Sequence, residues 1–148
     1  MASVSPFRTD LLAGQVCLIS GGGSGIGAAI ADTLMNHGAK VCICSRNEEK
    51  LRKAADELNA KYEGTLTSCL WIPCDVRQQT QTDQVVAQTV AKWGRLDTVV
   101  NCAAGNFLAA ASQLSANAFR TVMEIDALGT ECILRFMILH CGFSTGRH

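Results

Sequence analysis

The residues best suited to chemistry in this 148-residue chain form the glycine-rich segment Gly21–Gly27, which directly follows the apolar run Val16–Ile19. This order predicts a buried strand, then a tight turn, then the start of a helix. Such a turn lets the backbone approach a pyrophosphate group closely, and the amide groups of the helix N-terminus point at it. The residues expected to hold the phosphates are Gly21, Ser24, Gly25, Ile26 and Gly27.

The glycine spacing in this segment is Gly21-x-x-x-Gly25-x-Gly27, which differs from the G-x-G-x-x-G of most dinucleotide-binding folds. The alternative is a structural strand-to-helix turn that binds no ligand. Five glycines within seven positions weaken a chain unless something must approach the backbone closely. The pattern therefore favours a nucleotide site.

The end of the second predicted strand indicates which nucleotide binds. In an NAD site of this type, Asp or Glu lies about twenty residues beyond the glycines and accepts a hydrogen bond from the ribose 2′-hydroxyl. Here that place holds Ser45 and Arg46. An arginine pairs with a 2′-phosphate, and a serine hydroxyl can donate to it. The sequence favours NADP(H) over NAD(H); the alternative is that Arg46 is an ordinary solvated charge and selectivity is weak.

Two further candidate segments follow the third and fourth predicted strands. Asp75 can accept a hydrogen bond from an adenine amino group while Val76 packs on the ring; alternatively, Asp75 caps the next helix. The loop Asn101–Phe107 is built from small residues that leave room for a ribose and a nicotinamide beside Asn101 and Ala103. Its alternative is a tight turn. In open parallel sheets, ligands bind beyond such strand ends where the strand order reverses.

The elements that must position these residues alternate along the chain as strands and helices. The predicted strands are Val16–Ser20, Lys40–Ser45, Ser68–Cys74 and Leu96–Cys102. The predicted helices are Gly25–His37, Asn47–Tyr62, Gln78–Trp93 and one that begins after the N-cap Ser115. Near-continuous apolar strands between amphipathic helices predict an α/β fold with a doubly wound parallel sheet of the Rossmann type, covered on both faces.

The helix patterns also predict which side chains form each apolar face. In the first helix these are Ile26, Ile30 and Leu34. In the second they are Leu51, Ala54, Ala55 and Leu58, and in the third Val85, Val86, Thr89 and Val90.

The overall composition excludes several classes of protein. Hydrophobic residues make up 48% and charged residues 18%, which is typical of a globular domain. The formal net charge is +0 with no basic stripe, which argues against a nucleic-acid partner. The apolar run Cys132–Cys141 contains Arg135 and is too short to span a bilayer, so no membrane span is expected.

The eight cysteines indicate neither a metal site nor a disulfide framework. No two have CxxC spacing, so no metal ligation is expected, and most lie in apolar strands where cysteine acts as a small hydrophobe. No apolar segment typical of a secretory signal precedes residue 10. We therefore expect a reducing intracellular compartment.

The glycine pattern, the pair Asp75-Val76 and the loop Asn101–Gly105 resemble those of the short-chain dehydrogenase/reductase superfamily. The segments that most resemble its branch of peroxisomal 2,4-dienoyl-CoA reductases are Ser5-Pro6-Phe7, Gly21–Gly27, Ala103–Leu108 and Phe119–Asp126. The resemblance covers residues 1–130, expected to be an NADP-binding domain, whereas 131–148 reads as a divergent tail.

This resemblance implies an NADPH-dependent reduction of 2,4-dienoyl-CoA to 3-enoyl-CoA in the β-oxidation of unsaturated fatty acids. A fatty acyl-CoA would be the substrate, with Asn106 and Phe107 lining its acyl pocket. Asp126 stands where most of the superfamily has a catalytic asparagine and is the candidate catalytic residue; the alternative is a buried polar residue used in dimer packing. The resemblance also implies a peroxisomal location.

The sequence departs from the superfamily pattern in its second half. The expected Tyr-x-x-x-Lys pair, or a variant that keeps the lysine, is missing: Leu66 stands four residues after the only tyrosine, Tyr62. We expect a truncated chain whose sheet has strand order 3-2-1-4 and lacks the later strands. The side chains Leu96, Val99 and Val100 would then lose cover at an edge.

Three interpretations of function follow from this departure. The chain is a dienoyl-CoA reductase fragment that is inactive alone, a non-catalytic nucleotide-binding module, or a short-chain reductase for another substrate. A module could form a homo-oligomer or pair with a full-length subunit. The last residues, Gly146-Arg147-His148, are not a peroxisomal signal of the Ser-Lys-Leu type, so a cytosolic location is the alternative.

Overall fold

The computed structural model describes residues 6–140; Ser5 and residues 141–148, the end of the tail expected to be divergent, lie outside the described residues. Four parallel strands form one sheet in the order β3-β2-β1-β4. The strands are β1 (Val16–Ser20), β2 (Lys40–Ser45), β3 (Cys69–Pro73) and β4 (Thr98–Asn101). This confirms the predicted α/β class and the predicted strand order. The order in which strands are added to the sheet reverses after β1, because β2 and β3 lie on one side of β1 and β4 lies on the other.

Helices connect the strands and continue after β4. They are α1 (Gly25–Asn36), α2 (Glu48–Lys61), α3 (Gln79–Trp93), α4 (Ala116–Met123) and α5 (Gly129–His140), with a π-helical turn (Glu124–Leu128) between α4 and α5. The predicted cap Ser115 is confirmed, because its side chain accepts from the Ala118 amide at 3.1 Å. Asn47 caps α2 in the same way, and Gly94 ends α3 with a left-handed φ of 78°.

The sheet is covered on both faces, as its apolar strands predict. Alternate residues of a strand point to opposite faces. Val16 and Leu18 of β1 therefore belong to one core cluster with residues of α3 and α5, whereas Cys17 and Ile19 belong to a second with residues of α1 and α2. The apolar faces predicted for the second and third helices are confirmed.

The face predicted for the first helix is confirmed for Ile30 and Leu34, which are partly buried against the core, and is wrong for Ile26. The buried residues of α1 are Gly27, Ala31 and Met35, and 77% of Ile26 is exposed. The reason is a close approach: a Cβ at Gly27 would lie 2.4 Å from the Gly21 carbonyl oxygen. This contact fixes the rotation of α1 about its axis, so the Gly27 side of the helix meets the sheet.

Strand β4 lies at one edge of the described sheet. Val99 and Val100 are only partly buried, as expected. The expectation for Leu96 is wrong, because it is 6% exposed and packs in the cluster that contains Ile133 and Met137 of α5. Helix α5 thus contributes to the cover of this edge region. No helix within residues 6–140 is long and apolar enough to cross a membrane.

Candidate nucleotide-binding site

A cleft of about 680 Å³ opens at the carboxyl ends of the four strands, a volume typical of ligand pockets. Its walls are the turns after β1 and β2, the segment after β3 and the loop after β4. The lining residues are Gly21, Gly23, Ser24, Ile26, Gly27, Ser45, Arg46, Asn47, Lys50, Cys74, Asp75, Val76, Cys102, Ala103, Ala104 and Ile125. It therefore lies where the strand order reverses, as ligand sites in such sheets do.

The glycine turn after β1 packs closely against the backbone of the loop after β4. Gly21 has a φ of 72°, and a Cβ there would lie 2.8 Å from backbone atoms of Cys102 and Ala103. The loop after β4 is fastened to the same place, because the Ala103 amide donates to the Ser20 hydroxyl at 3.2 Å. Only glycine permits this packing, which brings the turn and the loop together as two walls of one cleft.

The N-terminus of α1 is open towards an anion. Ser24 is the N-cap, its side chain makes no capping hydrogen bond, and the first turn of α1 contains no acidic residue. Ser24, Ile26 and Gly27 all line the cleft. The partial positive charge of this helix end is thus directed at the cleft without an internal counter-charge.

The rim of the cleft at the end of β2 is cationic. Arg46 and Lys50 are exposed lining residues beside Ser45, and neither forms a salt bridge within the described part of the chain. Asn47 fixes the backbone between them, since its side chain accepts from the Lys50 amide at 2.8 Å. Two cations and a hydroxyl at this rim are suited to a phosphate group.

Asp75 faces the cleft from the segment after β3, and its carboxylate is paired with Arg77 through the guanidinium Nε at 2.9 Å. This hydrogen bond lowers the pKa of Asp75. The alternative role of Asp75 as a helix cap is wrong, because Gln78 is the N-cap of α3. Val76 is 7% exposed and contributes an apolar surface to the cleft.

Asp126 lies in the π-helical turn, outside the lining of the cleft. Its Oδ1 accepts a hydrogen bond from the Gly105 amide at 3.1 Å. Asp126 is exposed in the described chain, and its alternative role in dimer packing stays a prediction. Its neighbour Ile125 is buried and reaches the cleft instead.

The structure brings together most of the predicted nucleotide-binding residues but not all. The predicted residues that line the cleft are Gly21, Ser24, Ile26, Gly27, Ser45, Arg46, Asp75, Val76 and Ala103; those that do not are Gly25, Asn101, Asn106, Phe107 and Asp126. Phe107 is 50% exposed.

Seven lining residues were not among the individual site residues that the sequence predicted: Gly23, Asn47, Lys50, Cys74, Cys102, Ala104 and Ile125. Three of them, Gly23, Cys102 and Ala104, lie within the two segments that were predicted to form the site. Lys50 carries a usable signal, because it lies in the first turn of α2, four residues after Arg46, and a cation there can return to the same rim. Cys74 and Cys102 carry none, since cysteine in an apolar strand predicts only burial.

A parallel sheet with this strand order, a glycine turn after β1 and a cleft at the reversal define a Rossmann-type nucleotide-binding domain. The family model for short chain dehydrogenases matches residues 15–140, and the chain belongs to the short-chain dehydrogenase/reductase family. Proteins of this family bind nicotinamide cofactors.

Curated relatives carry a more specific name. The chain is 50% identical over 124 residues to a peroxisomal 2,4-dienoyl-CoA reductase of Danio rerio, covering 84% of this chain and 40% of the relative. A protein of the same name from Arabidopsis thaliana is 46% identical over 126 residues, covering 85% of this chain and 41% of the relative. The chain thus spans less than half the length of these relatives.

Solved structures agree on the fold. A citronellol catabolism dehydrogenase of Pseudomonas aeruginosa PAO1 superposes with a TM-score of 0.82 at 33% identity, over 91% of this chain and 54% of that one. A 3-ketoacyl-(acyl-carrier-protein) reductase of Brucella melitensis, solved in complex with NADH, has a TM-score of 0.78 at 27% identity, over 87% of this chain and 51% of that one.

Proposed function

We propose that this chain forms the NADPH-binding part of an enzyme that reduces 2,4-dienoyl-CoA to 3-enoyl-CoA. The observation that supports NADPH as the cofactor is the cleft. It combines the N-terminus of α1, whose first turn contains no acidic residue, with a cationic rim. The names of the curated relatives support the dienoyl-CoA substrate and a peroxisomal location. Bound NADPH would supply the hydride for this reaction.

The phosphates of the cofactor divide between two parts of the cleft. The backbone from Gly21 to Gly27, with the Ser24 hydroxyl, would hold the pyrophosphate at the N-terminus of α1. At the opposite rim, Ser45, Arg46 and Lys50 would hold the 2′-phosphate. Ser45 and Arg46 stand where an NAD site has its carboxylate, and the nearest carboxylates, Glu48 and Glu49, are not among the residues that line the cleft, so the rim favours NADPH over NADH.

The direction of the cleft also suggests where the adenine, the ribose and the nicotinamide of the cofactor would lie. Adenine would lie against Val76, and its amino group would donate a hydrogen bond to the Asp75 carboxylate. This carboxylate can accept that bond in addition to the one from Arg77, because its two oxygens have further lone pairs. The ribose and nicotinamide would extend along the loop after β4, past Asn101 and Ala103. The acyl chain would then approach Asn106 and Phe107, with Asp126 as the catalytic carboxylate near the reacting atoms.

A specific observation favours a second candidate, a nucleotide-binding module without activity of its own. The only tyrosine, Tyr62, places its hydroxyl 3.0 Å from Asp32, between α1 and α2 and outside the cleft. The cleft as described contains no tyrosine, so the Tyr-x-x-x-Lys pair of the family is not formed within it. Such a module would act by holding cofactor or by pairing with a complete subunit.

Calorimetric titration of the 148-residue chain tests the cofactor proposal directly. We expect NADPH to bind at least about tenfold more tightly than NADH, which corresponds to about 1.4 kcal/mol. Adenosine 2′,5′-bisphosphate should compete, whereas adenosine 5′-monophosphate should compete weakly. Equal affinity for NADPH and NADH would contradict the role of the rim.

The substrate requires a separate measurement. NADPH consumption is followed with a 2,4-dienoyl-CoA and with a 3-ketoacyl-CoA, using the chain alone and mixed with a complete 2,4-dienoyl-CoA reductase. Binding without turnover by the chain alone supports the module. Turnover of the ketoacyl-CoA in preference to the dienoyl-CoA would contradict the proposed substrate.

A further inference from the structure

The uncharged side chain of Asn47 lies, in sequence, between the two cations of the rim. Asn47 lines the cleft together with Arg46, which precedes it, and Lys50, which lies in the first turn of α2. It is also the N-cap of α2, directly beyond the end of β2 and Arg46. Asn47 therefore belongs both to the helix and to the proposed cofactor site.

The helix uses only one end of the Asn47 side-chain amide. Its Oδ1 accepts from the Lys50 amide at 2.8 Å, and its φ of −93° and ψ of 98° are the extended values of an N-cap residue. Within residues 6–140 its Nδ2 group makes no hydrogen bond, and Asn47 is exposed. Two N–H donors are therefore available at the rim.

The segment that carries Asn47 is held from two sides. A Cβ at Gly23 would lie 3.4 Å from the Ser45 Oγ and 3.4 Å from the Leu51 Cδ2, so the glycine turn packs on both ends of the connection between β2 and α2. On the other side, the Ser45 carbonyl accepts from the Cys74 amide at 2.9 Å. The Asn47 donors thus have a fixed place relative to the proposed pyrophosphate site.

Capping of the helix does not by itself require asparagine at position 47. Asparagine, aspartate and serine cap helices about equally well. Aspartate would also interact favourably with the positive end of the helix dipole, where the first turn of α2 already carries Glu48 and Glu49. The residues differ in what else they bring: the amide adds N–H donors without charge, whereas a carboxylate adds acceptors and a negative charge.

That difference matters because the described rim presents no unpaired carboxylate. Asp75 is the one acidic residue among the described residues that line the cleft, and its carboxylate is paired with Arg77 at 2.9 Å. Phosphate oxygens accept hydrogen bonds and carry negative charge, so donors and cations bind them. A ribose 2′-hydroxyl instead donates to a carboxylate in NAD sites.

We propose that Asn47 is a specificity-determining residue, whose amide caps α2 with its oxygen and donates to the 2′-phosphate of NADPH with its nitrogen. By being uncharged, it also keeps a carboxylate out of the cationic rim. This assignment rests on the proposed function, because it places a nucleotide in the cleft. It concerns only the adenosine end of that nucleotide and holds for any substrate that the complete enzyme reduces.

Calorimetric titration of three variants with NADPH, NADH and adenosine 2′,5′-bisphosphate tests this role. Asn47→Asp should weaken binding of both 2′-phosphorylated ligands by at least about tenfold and leave NADH binding unchanged or tighter. Asn47→Ser keeps a cap and one donor, so it should retain most of the NADPH affinity. Asn47→Ala loses both and should bind NADPH more weakly than Asn47→Ser does.

Thermal denaturation without nucleotide separates the cap from the rim. The chains with Asn47→Asp and Asn47→Ser should melt near the temperature of the unsubstituted chain, whereas Asn47→Ala should melt a few degrees lower. A loss of NADPH affinity by an Asn47→Asp chain with normal stability is then an effect on the ligand. The comparison of Asn47→Ser with Asn47→Ala gives a second decision that involves no added charge.

Ser115→Asp is the matched control for the added charge. Ser115 is the N-cap of α4, its side chain accepts from the Ala118 amide at 3.1 Å, and it does not line the cleft. This change therefore adds the same carboxylate to a helix N-cap away from the rim. It should leave the affinities for NADPH, NADH and adenosine 2′,5′-bisphosphate unchanged.

The deciding quantity is the change in the ratio of NADPH to NADH affinity on substitution. An Asn47→Asp chain with an unchanged ratio overturns the proposal and leaves Asn47 as a helix cap only. Equal losses for both nucleotides also overturn it, since they indicate a rearranged α2. Equal affinities in the unsubstituted chain contradict the cationic rim of the proposed function instead, and the change on substitution still decides the role of Asn47. Absence of binding by any nucleotide contradicts both proposals.

Discussion

The Asp126 carboxylate accepts a hydrogen bond from the Gly105 amide, with Oδ1 and nitrogen 3.1 Å apart. The contact joins the π-helical turn to the loop after β4. Ile125 reinforces it, because a Cβ at Gly105 would lie 2.7 Å from the Ile125 Cδ1 atom. π-Helical turns occur often at functional sites, and this one holds the wall of the cleft on which the ribose and nicotinamide are proposed to lie.

Replacement of Asp126 tests this positioning. Asp126→Ala should lower the free energy of unfolding by about 1 kcal/mol and weaken NADPH binding, because the Gly105 amide loses its acceptor. Asp126→Asn keeps an acceptor oxygen and should retain most of both properties. Urea denaturation and calorimetry measure them. An asparagine variant as impaired as the alanine variant would show that the negative charge, rather than the hydrogen bond, is what matters.

The cationic rim makes a prediction about cofactor selectivity. Arg46→Glu and Lys50→Gln should each weaken NADPH binding by about tenfold or more, because each removes a charge proposed to face the 2′-phosphate. NADH binding should change little. The matched control is Lys53→Gln, an exposed lysine of α2 outside the cleft with a 3.9 Å ion pair to Glu57. Equal losses for both cofactors would refute the assignment.

Two glycines of the turn should respond differently to alanine. Gly27→Ala places a Cβ 2.4 Å from the Gly21 carbonyl oxygen and should destabilise the fold by about 1–3 kcal/mol. Gly25→Ala meets no atom within 4 Å, so it should cost only about 1–2 kcal/mol, from its φ of 56°. Thermal denaturation with and without NADPH compares them.

The more informative outcome concerns the bound state. Gly25→Ala should lose stabilisation by NADPH, because alanine disfavours the φ of 56° and so disturbs the backbone segment proposed to hold the pyrophosphate. A Gly25→Ala chain that NADPH stabilises as well as the unsubstituted chain would contradict that placement.

The pair Asp75–Arg77 predicts a dependence of stability on pH. The hydrogen bond from Arg77 lowers the pKa of Asp75 in the folded chain below that of an unfolded aspartate, about 3.9. The folded state therefore binds fewer protons, and the contribution of the pair is fully present above that value and is lost as pH falls through the folded-state pKa. Arg77→Gln should remove it.

Urea denaturation between about pH 7 and pH 3 measures this difference. The two chains should differ in stability at neutral pH and converge in acid, whereas Arg52→Gln, a change at an exposed arginine of α2, should follow the unsubstituted chain throughout. A constant difference between Arg77→Gln and the unsubstituted chain at all pH values would mean that packing of the Arg77 side chain, rather than its charge, stabilises the fold.

Local patterns in the sequence determined most of the architecture. The apolar runs gave β1 and β2 with the observed bounds, and Ser115 marked the start of α4 by its capping chemistry. The glycine turn and the residues Ser45, Arg46 and Asp75 indicated the site, because backbone conformation and charge at strand ends are properties of short segments.

Contacts between distant segments required the tertiary structure. The rotation of α1 is set by Gly27 against Gly21, which leaves Ile26 exposed although Ile30 and Leu34 pack against the core. The register of β2 and β3 places Cys44 opposite Ile72, and the π-helical turn brings Asp126 to Gly105. Short-range periodicity specifies which side of an element is apolar, but which atoms meet across elements depends on register and helix rotation, which close packing alone decides.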